Sequence, residues 1–269
     1  MHLLYCDETN LSPSEHDFFI YGGVVIPPGA AKPLHDAVEQ IRRRHHVPEN
    51  FLLKFNPRPD TLAHDDFIQV KQAILETAAE HSCQLIVSLI LHNIAASPDI
   101  ARRNEINRVL YHFECLLNRE TSHGLVLIDR FSDTQIDAHL RERFAVGVRG
   151  LPYTDPMRLE RIVGYHYSAI GQSHFGSVVD IVVGSFRFAV NSHSSNDTNR
   201  LASAVRLLDL VGPLFIRSAP DLKVDELSLF FSPKVITVDR YRGKYAALRD
   251  FLAEHGVDSR QEITDTRTR

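Results

Sequence analysis

The feature that most restricts this chain is its rhythm: short unbroken apolar runs alternate with stretches whose apolar residues recur every three to four positions. Leu3-Leu4-Tyr5-Cys6 and the run from Phe18 to Ile26 read as two buried strands, and the polar connection through Thr9, Asn10, Ser12, Pro13 and Ser14 suits a hairpin. Pro27-Pro28-Gly29 stops the second strand. A helix is expected at about Ala31 to His46, then a short third strand at Phe51-Leu52-Leu53-Lys54-Phe55 that closes into Asn56-Pro57-Arg58-Pro59. From Asp65 the apolar stripe Phe67, Val70, Ile74, Leu75 and Ala78 predicts a helix, and Gln84 to Leu91 a strand.

The alternation continues toward the C-terminus. Ser97 before Pro98 is an N-cap followed by a helix-opening proline, and Ile106, Val109, Leu110, Phe113, Leu116 and Leu117 share one face behind it. Leu125 to Ile128 predicts a strand, Ser132 with Gln135 a capping box for a helix to about Val148, and Ile162 to Ala169 another strand. Gly176 to Asn191 predicts a helix, and Ser192 to Asp197 a linker-like polar break. Beyond it come a helix to about Leu210, a strand-like stretch from Leu227 to Val238 and a helix near Arg240 to His255. A hairpin followed by strands alternating with helices implies an α/β fold with a mixed sheet, antiparallel first and then parallel, flanked by helices. The polar break divides residues 1–191, the core domain, from 192–269, an α+β C-terminal extension packed on it.

With 269 residues, 43% hydrophobic and 24% charged, the chain buries one large core or two modest ones, which excludes disordered, collagenous and small disulfide-stapled classes. Thirty basic against thirty-four acidic side chains leave a net charge of −4, too mild for steering by the whole-molecule field, so a phosphate-binding surface has to be local. Cys6, Cys83 and Cys115 are odd in number, lack C-x-x-C spacing and sit among apolar neighbours, as buried free thiols do. The first residues lack a signal-peptide layout and no apolar stretch reaches the roughly 18 residues of a membrane span, so a soluble cytoplasmic protein is expected, with no membrane partner.

Asp7 and Asp129 each stand where an apolar strand ends. If the two strands are parallel neighbours, about 4.8 Å apart, their carboxylates meet, and a divalent ion with oxygen ligands, Mg²⁺ or Mn²⁺, relieves the repulsion. Each Asp taken alone also fits an ordinary strand-end residue. Asp180 lies in Ser177-Val178-Val179-Asp180-Ile181-Val182-Val183-Gly184, too apolar a helix to leave a carboxylate fully solvated. Gly176 and Gly184 flank it at i−4 and i+4 and open that face to close approach, while Ser177 and Arg187 share it; the other reading of Asp180 is a structural ion pair with an arginine. Glu8 points away from Asp7 by strand alternation and reads as a supporting residue. Lys54 either neutralises phosphate or snorkels to the surface. Ser173 and His174 precede a helix start, where free N–H groups favour anions, and His166 reads as a core histidine. Walker, Rossmann, zincin and serine-elbow motifs are absent, and the spacings of the fifteen histidines match no zinc site.

Tyr5-Cys6-Asp7-Glu8-Thr9-Asn10, Gly22-Gly23-Val24-Val25, Lys54-Phe55, Leu127-Ile128-Asp129 and the segment from Ser177 to Gly184 together resemble the bacterial and phage family called domain of unknown function 3800, over roughly residues 1–191. The resemblance implies an RNase H-like fold that holds two divalent ions on acids of the first strand, a later parallel strand and the last helix: Asp7, Asp129 and Asp180. The family usually reads D-E-S-G where Thr9-Asn10 stand here, and often has an acid where this chain has Leu52, which leaves a fourth ligand open between Glu8 and Glu114.

The function expected is a metal-dependent nuclease. Asp7 bridges two Mg²⁺ or Mn²⁺ ions, Asp129 and Asp180 hold one each, and Lys54, His174 and Arg187 touch phosphate or relay a proton. RNA or DNA is the substrate, with Arg42-Arg43-Arg44 and Arg102-Arg103 as candidate backbone contacts. Two rivals stay open: a catalytically silent module that binds a nucleic acid or protein, and a hydrolase of small phosphorylated metabolites. The extension is left with two roles, a homodimer contact or a cap over the site.

Overall fold

The computed structural model describes residues 1–12, 16–130, 133, 135–148, 157–195, 197–218 and 223–266. Among these residues six strands form one mixed sheet: β1 (His2–Thr9), β2 (Phe18–Ile26), β3 (Gln84–Leu91), β4 (Gly124–Asp129), β5 (Ile162–Ser168) and β6 (Leu229–Ser232), in the order β5-β4-β1-β2-β3-β6. The hairpin β1–β2 and the pair β2–β3 are antiparallel, while β1–β4, β4–β5 and β3–β6 are parallel. The helices are α1 (Ala31–Arg44), α2 (His64–Glu80), α3 (Pro98–Arg119), α4 (Ile136–Ala145), α5 (His174–Ser194), α6 (Thr198–Val211) and α7 (Asp239–Glu254).

Strand alternation sends successive side chains to two cores. On one face Tyr5, Ile20, Val24 and Val87 pack with apolar residues of α1, α2, α5, α6 and α7. On the other, Leu4, Cys6, Phe19, Tyr21, Val126 and Ile128 pack with α3 and α4. All nine residues of β2 are buried, as expected of a central strand covered on both faces. Ser97 caps α3, its hydroxyl accepting the Ile100 N–H at 3.2 Å.

Several expectations shift. Residues 51–55 form no strand; they run as an extended segment across α1 and α5. Arg42 turns inward and donates to the carbonyls of Pro48, Glu49 and Phe51, so the chain leading into that stretch is tied to a guanidinium instead of a neighbouring strand. The helix expected from Gly176 starts at His174 and runs through Ser194 into the expected linker. Ser132, the expected cap of α4, lies outside the described residues. His166 is exposed on β5, which is the outer strand on its side of the sheet. The C-terminal stretch adds β6 to the free edge of β3, and Ala204, Leu208, Phe231, Tyr245 and Leu252 belong to the same apolar cluster as Tyr5 and Val182. Among the described residues no helix is long and apolar enough to cross a membrane, and Cys6 and Cys83 are buried free thiols, with Cys115 half-buried.

Candidate active site

The site is built where β1 and β4 end side by side. Their parallel register runs to the pair Cys6–Ile128, and the next residue on each strand is an aspartate, Asp7 and Asp129. Alternation puts both on the face covered by α5, because Cys6 and Ile128 occupy the opposite core. Asp180 on α5 faces them across a crevice lined also by Ser168, Ile170, Gly176 and Val179, with about 10 Å³ of room, the space of roughly one water-sized particle. Three acids far apart in sequence thus share one small crevice at the carboxyl ends of parallel strands.

Each carboxylate commits one oxygen to a main-chain N–H. Asp7 Oδ1 accepts from Glu8 at 2.8 Å, Asp129 Oδ1 from Arg130 at 2.9 Å and Asp180 Oδ1 from Phe55 at 2.6 Å. The second oxygen of each has no hydrogen-bond partner among the described residues, and none of the three makes an ion pair there. Burial, then the neighbouring Asp180 and Asp129 charges, push the Asp7 carboxyl up to about 7 against the opposing pull of the Glu8 N–H. Burial also raises Asp180, opposed by the Phe55 N–H and by the positive charges of Lys54 and Arg187. The repulsion is therefore real but incompletely offset. Among the described residues no three His, Cys, Asp or Glu side chains already stand in an ion-holding arrangement.

The glycine beside Asp180 explains how that helix and the extended segment meet. A Cβ at Gly184 would lie 2.6 Å from the Phe55 Cβ, so the absent side chain is what lets Phe55 press onto α5 while its N–H reaches Asp180. Gly176, at ordinary contact distance from Ile170, carries no such demand. Lys54 and Arg187 stand near enough for their charges to act on Asp180, and the Arg187 guanidinium lies 5.4 Å from the Phe55 ring centre. Burial lowers the Arg187 pKa, with Asp180 and Asp7 opposing the shift.

His174 is placed differently from the expectation. It lines a neighbouring groove of about 550 Å³ with Arg42 and Leu52, where its Nε2 meets Glu39 Oε2 at 3.0 Å and its ring packs 4.8 Å from that of His35. Neither proposed fourth ligand reaches the crevice. Glu8 turns to the opposite face, as alternation requires, and pairs with Arg102 at 2.6 Å. Glu114 is held by Asn118 and by the N–H of Arg161, just before β5 and so at the far end of the strands. The two basic runs are largely occupied within the fold: Arg42 on carbonyls, Arg43 on Glu39, Arg102 on Glu8 and Asp99, Arg103 on Asp133.

Sequence reasoning missed Ser168, registered against Asp129 on β5, and Arg130, which joins Asp7, Glu8, Tyr21 and Asp129 around an adjoining cavity of about 180 Å³. Arg130 was marked only by following a strand-end acid directly. No family model matches the chain, and no curated protein matches it.

Proposed function

We propose that the protein is a divalent-metal-dependent phosphodiester hydrolase acting on RNA or DNA, with Asp7, Asp129 and Asp180 as its metal-holding acids. The convergence of these three side chains from β1, β4 and α5 on one crevice is the observation that carries this reading. The strand order β3-β2-β1-β4-β5, with an antiparallel hairpin leading into parallel strands, supports an RNase H-like assignment to which β6 is an added edge strand. Membership in the domain of unknown function 3800 family belongs to the same reading and rests on the motifs.

The donor set fits a hard cation: three carboxylates, each with one oxygen fixed by a main-chain N–H and one oxygen uncommitted. Bound there, Mg²⁺ or Mn²⁺ would supply an activated water and charge neutralisation at the leaving oxygen. The protein's own contribution is positional. The Glu8, Arg130 and Phe55 N–H groups fix the carboxylates, the Gly184 contact fixes α5 against residues 51–55, and Lys54 and Arg187 bring positive charge toward a phosphodiester. Three free thiols suit a reducing cytoplasm.

The test is cleavage of a panel of single- and double-stranded RNA and DNA in Mg²⁺ and in Mn²⁺, with a chelator control and Asp7→Asn. Metal-dependent cleavage lost in the variant is expected. Cleavage that survives chelation, or that Asp7→Asn leaves intact, refutes the assignment. Leu52 in place of an acid before Lys54, with a net charge of only −4, motivates a second reading, a silent RNase H-like module that binds a nucleic acid or protein partner. Calorimetric titration with Mn²⁺ separates them, because the silent module takes up no ion.

A further inference from the structure

The outer strand β5 carries a surface that the aspartates leave unexplained. Phe144 of α4 is 59% exposed and Tyr167 of β5 37% exposed, along a shallow groove of about 400 Å³ that Arg141 also lines. The Phe144 ring meets Tyr165 edge-to-face with centroids 6.2 Å apart. The Arg130 guanidinium lies 5.8 Å from the Tyr167 ring centre, and the Tyr167 hydroxyl donates to Asp137, which fixes the orientation of the ring. Neither Arg130 nor Arg141 makes a side-chain ion pair among the described residues, in contrast to the occupied arginines of the basic runs.

The surface approaches the candidate active site at the C-terminal end of β4. Tyr167 immediately precedes Ser168, which is registered against Asp129 and lines the aspartate crevice, so strand alternation turns Tyr167 to the other face of the sheet, the side of α4. Arg130 links the two directly, because it reaches Tyr167 and also lines the cavity containing Asp7 and Asp129. Exposed aromatic rings interleaved with guanidinium groups that make no ion pair among the described residues complement a polyanion that displays flat rings. Bases within a duplex have their faces covered by stacking, whereas single strands offer them to aromatic side chains.

We propose that the β5 edge is a base-stacking platform that leads single-stranded nucleic acid, in preference to duplex, into the aspartate crevice. This rests on the phosphodiesterase reading of the three aspartates and adds the strandedness of the substrate to it. Phe144 and Tyr167 stack on bases, and Arg130 and Arg141 neutralise the adjoining phosphates.

The experiment measures fluorescence anisotropy of short labelled oligo(dT), oligo(U) and a duplex of equal length with the full chain in chelator, so that binding is read apart from cleavage. Phe144→Ala and Tyr167→Ala are each expected to weaken single-strand binding about tenfold while leaving duplex binding unchanged, and Arg141→Ala to flatten its salt dependence. Phe144→Ala removes an exposed ring and keeps the fold, which a thermal melt checks. Equal binding by wild type and both aromatic variants, or tighter binding of duplex, overturns the platform. So does a change of sedimentation in Phe144→Ala without a change in oligonucleotide affinity, which makes the edge a contact between two copies of this chain. Metal-dependent cleavage that persists with unaltered affinity in both aromatic variants refutes the platform alone; intact single-strand binding with no metal-dependent cleavage refutes the hydrolase and leaves the platform standing.

Discussion

Asp7→Asn should make the metal-free protein more stable, and the gain should depend on pH in a defined way. The Asp7 carboxyl titrates at about 7 in the folded chain against an ordinary value of 3.8. Three pKa units correspond to about 4 kcal/mol by which ionised Asp7 disfavours the folded state. Partial exposure of the side chain reduces the realised effect, to about 2–4 kcal/mol. Asparagine keeps an Oδ1 for the Glu8 N–H and removes the charge that Asp180 and Asp129 repel.

The sign follows from linkage. Below pH 3.8 the carboxyl is protonated in both folded and unfolded chains, and the wild type bears no penalty. Between pH 3.8 and about 7 the unfolded chain ionises first, so the wild type loses stability relative to the variant as pH rises. Above about 7 both states are ionised and the difference is constant. Urea denaturation in chelator at pH 8 should therefore show Asp7→Asn unfolding at a midpoint higher by about 1 M, and the two midpoints should converge near pH 4. Adding Mg²⁺ or Mn²⁺ at pH 8 should raise the wild-type midpoint and leave the variant where it was. A variant no more stable than wild type at pH 8, or equally advantaged at pH 4, refutes the claim that Asp7 is held against desolvation and like charge.

Gly184→Ala places a methyl group against Phe55 and should cost about 1–3 kcal/mol by urea denaturation; an unchanged midpoint would show that residues 51–55 are not pinned to α5. Arg102→Ala strands the buried Glu8 carboxylate and should cost about 3–5 kcal/mol at neutral pH, with most of it recovered when Glu8→Gln is added. A double variant no more stable than Arg102→Ala would deny the pair. His112 is pushed down to about 3 by burial and by the nearby Arg108 charge. Because its folded pKa lies below the ordinary 6.5, stability is lost as pH falls from 6.5 toward 3; His112→Phe should flatten that decline, and unfolding midpoints measured from pH 7 to 4 check it.

The elements most legible in the sequence are those whose cause is local. Gln84 to Leu91 is apolar apart from Gln84 and Ser88, and the strand has those bounds. Ser97-Pro98 starts α3 because a hydroxyl and a proline act within one turn. Phe51 to Phe55 reads as a strand because it is a short apolar piece, yet the Phe51 carbonyl and the Phe55 N–H pair with the Arg42 and Asp180 side chains. Charge patterning likewise failed to reveal that Arg42 turns inward. The helix start alone points His174 toward an anion, whereas Glu39 and His35 of α1 engage it. Strand order depends on long-range pairing, so nothing local marked Leu229 to Ser232 as the neighbour of β3. The crevice acids were visible because each violates its surroundings, two at apolar strand ends and one inside an apolar helix.

The treatment of other buried acids sharpens that last point. Glu8 has Arg102, Asp133 has Arg103, and Asp225 has Arg119 and Arg260. Glu105, on the same face as Glu8, accepts hydroxyls from Ser88 and from Ser232 at 2.7 Å, with the Arg108 charge nearby. The fold thus supplies a cation, a hydroxyl or, at Glu114, the Asn118 amide and the Arg161 N–H where an acid is structural. At the crevice, among the described residues, it supplies one main-chain N–H per carboxylate and sets three acids against one another, with Lys54 and Arg187 acting from outside hydrogen-bonding contact. A purely structural Asp180 would account for the Phe55 N–H, but asparagine would serve that bond equally well without desolvating a charge. What asparagine does not offer is a second anionic oxygen, and that is the property the three residues share. On the proposed reading, that shared oxygen is what a cation bound from outside the chain would use.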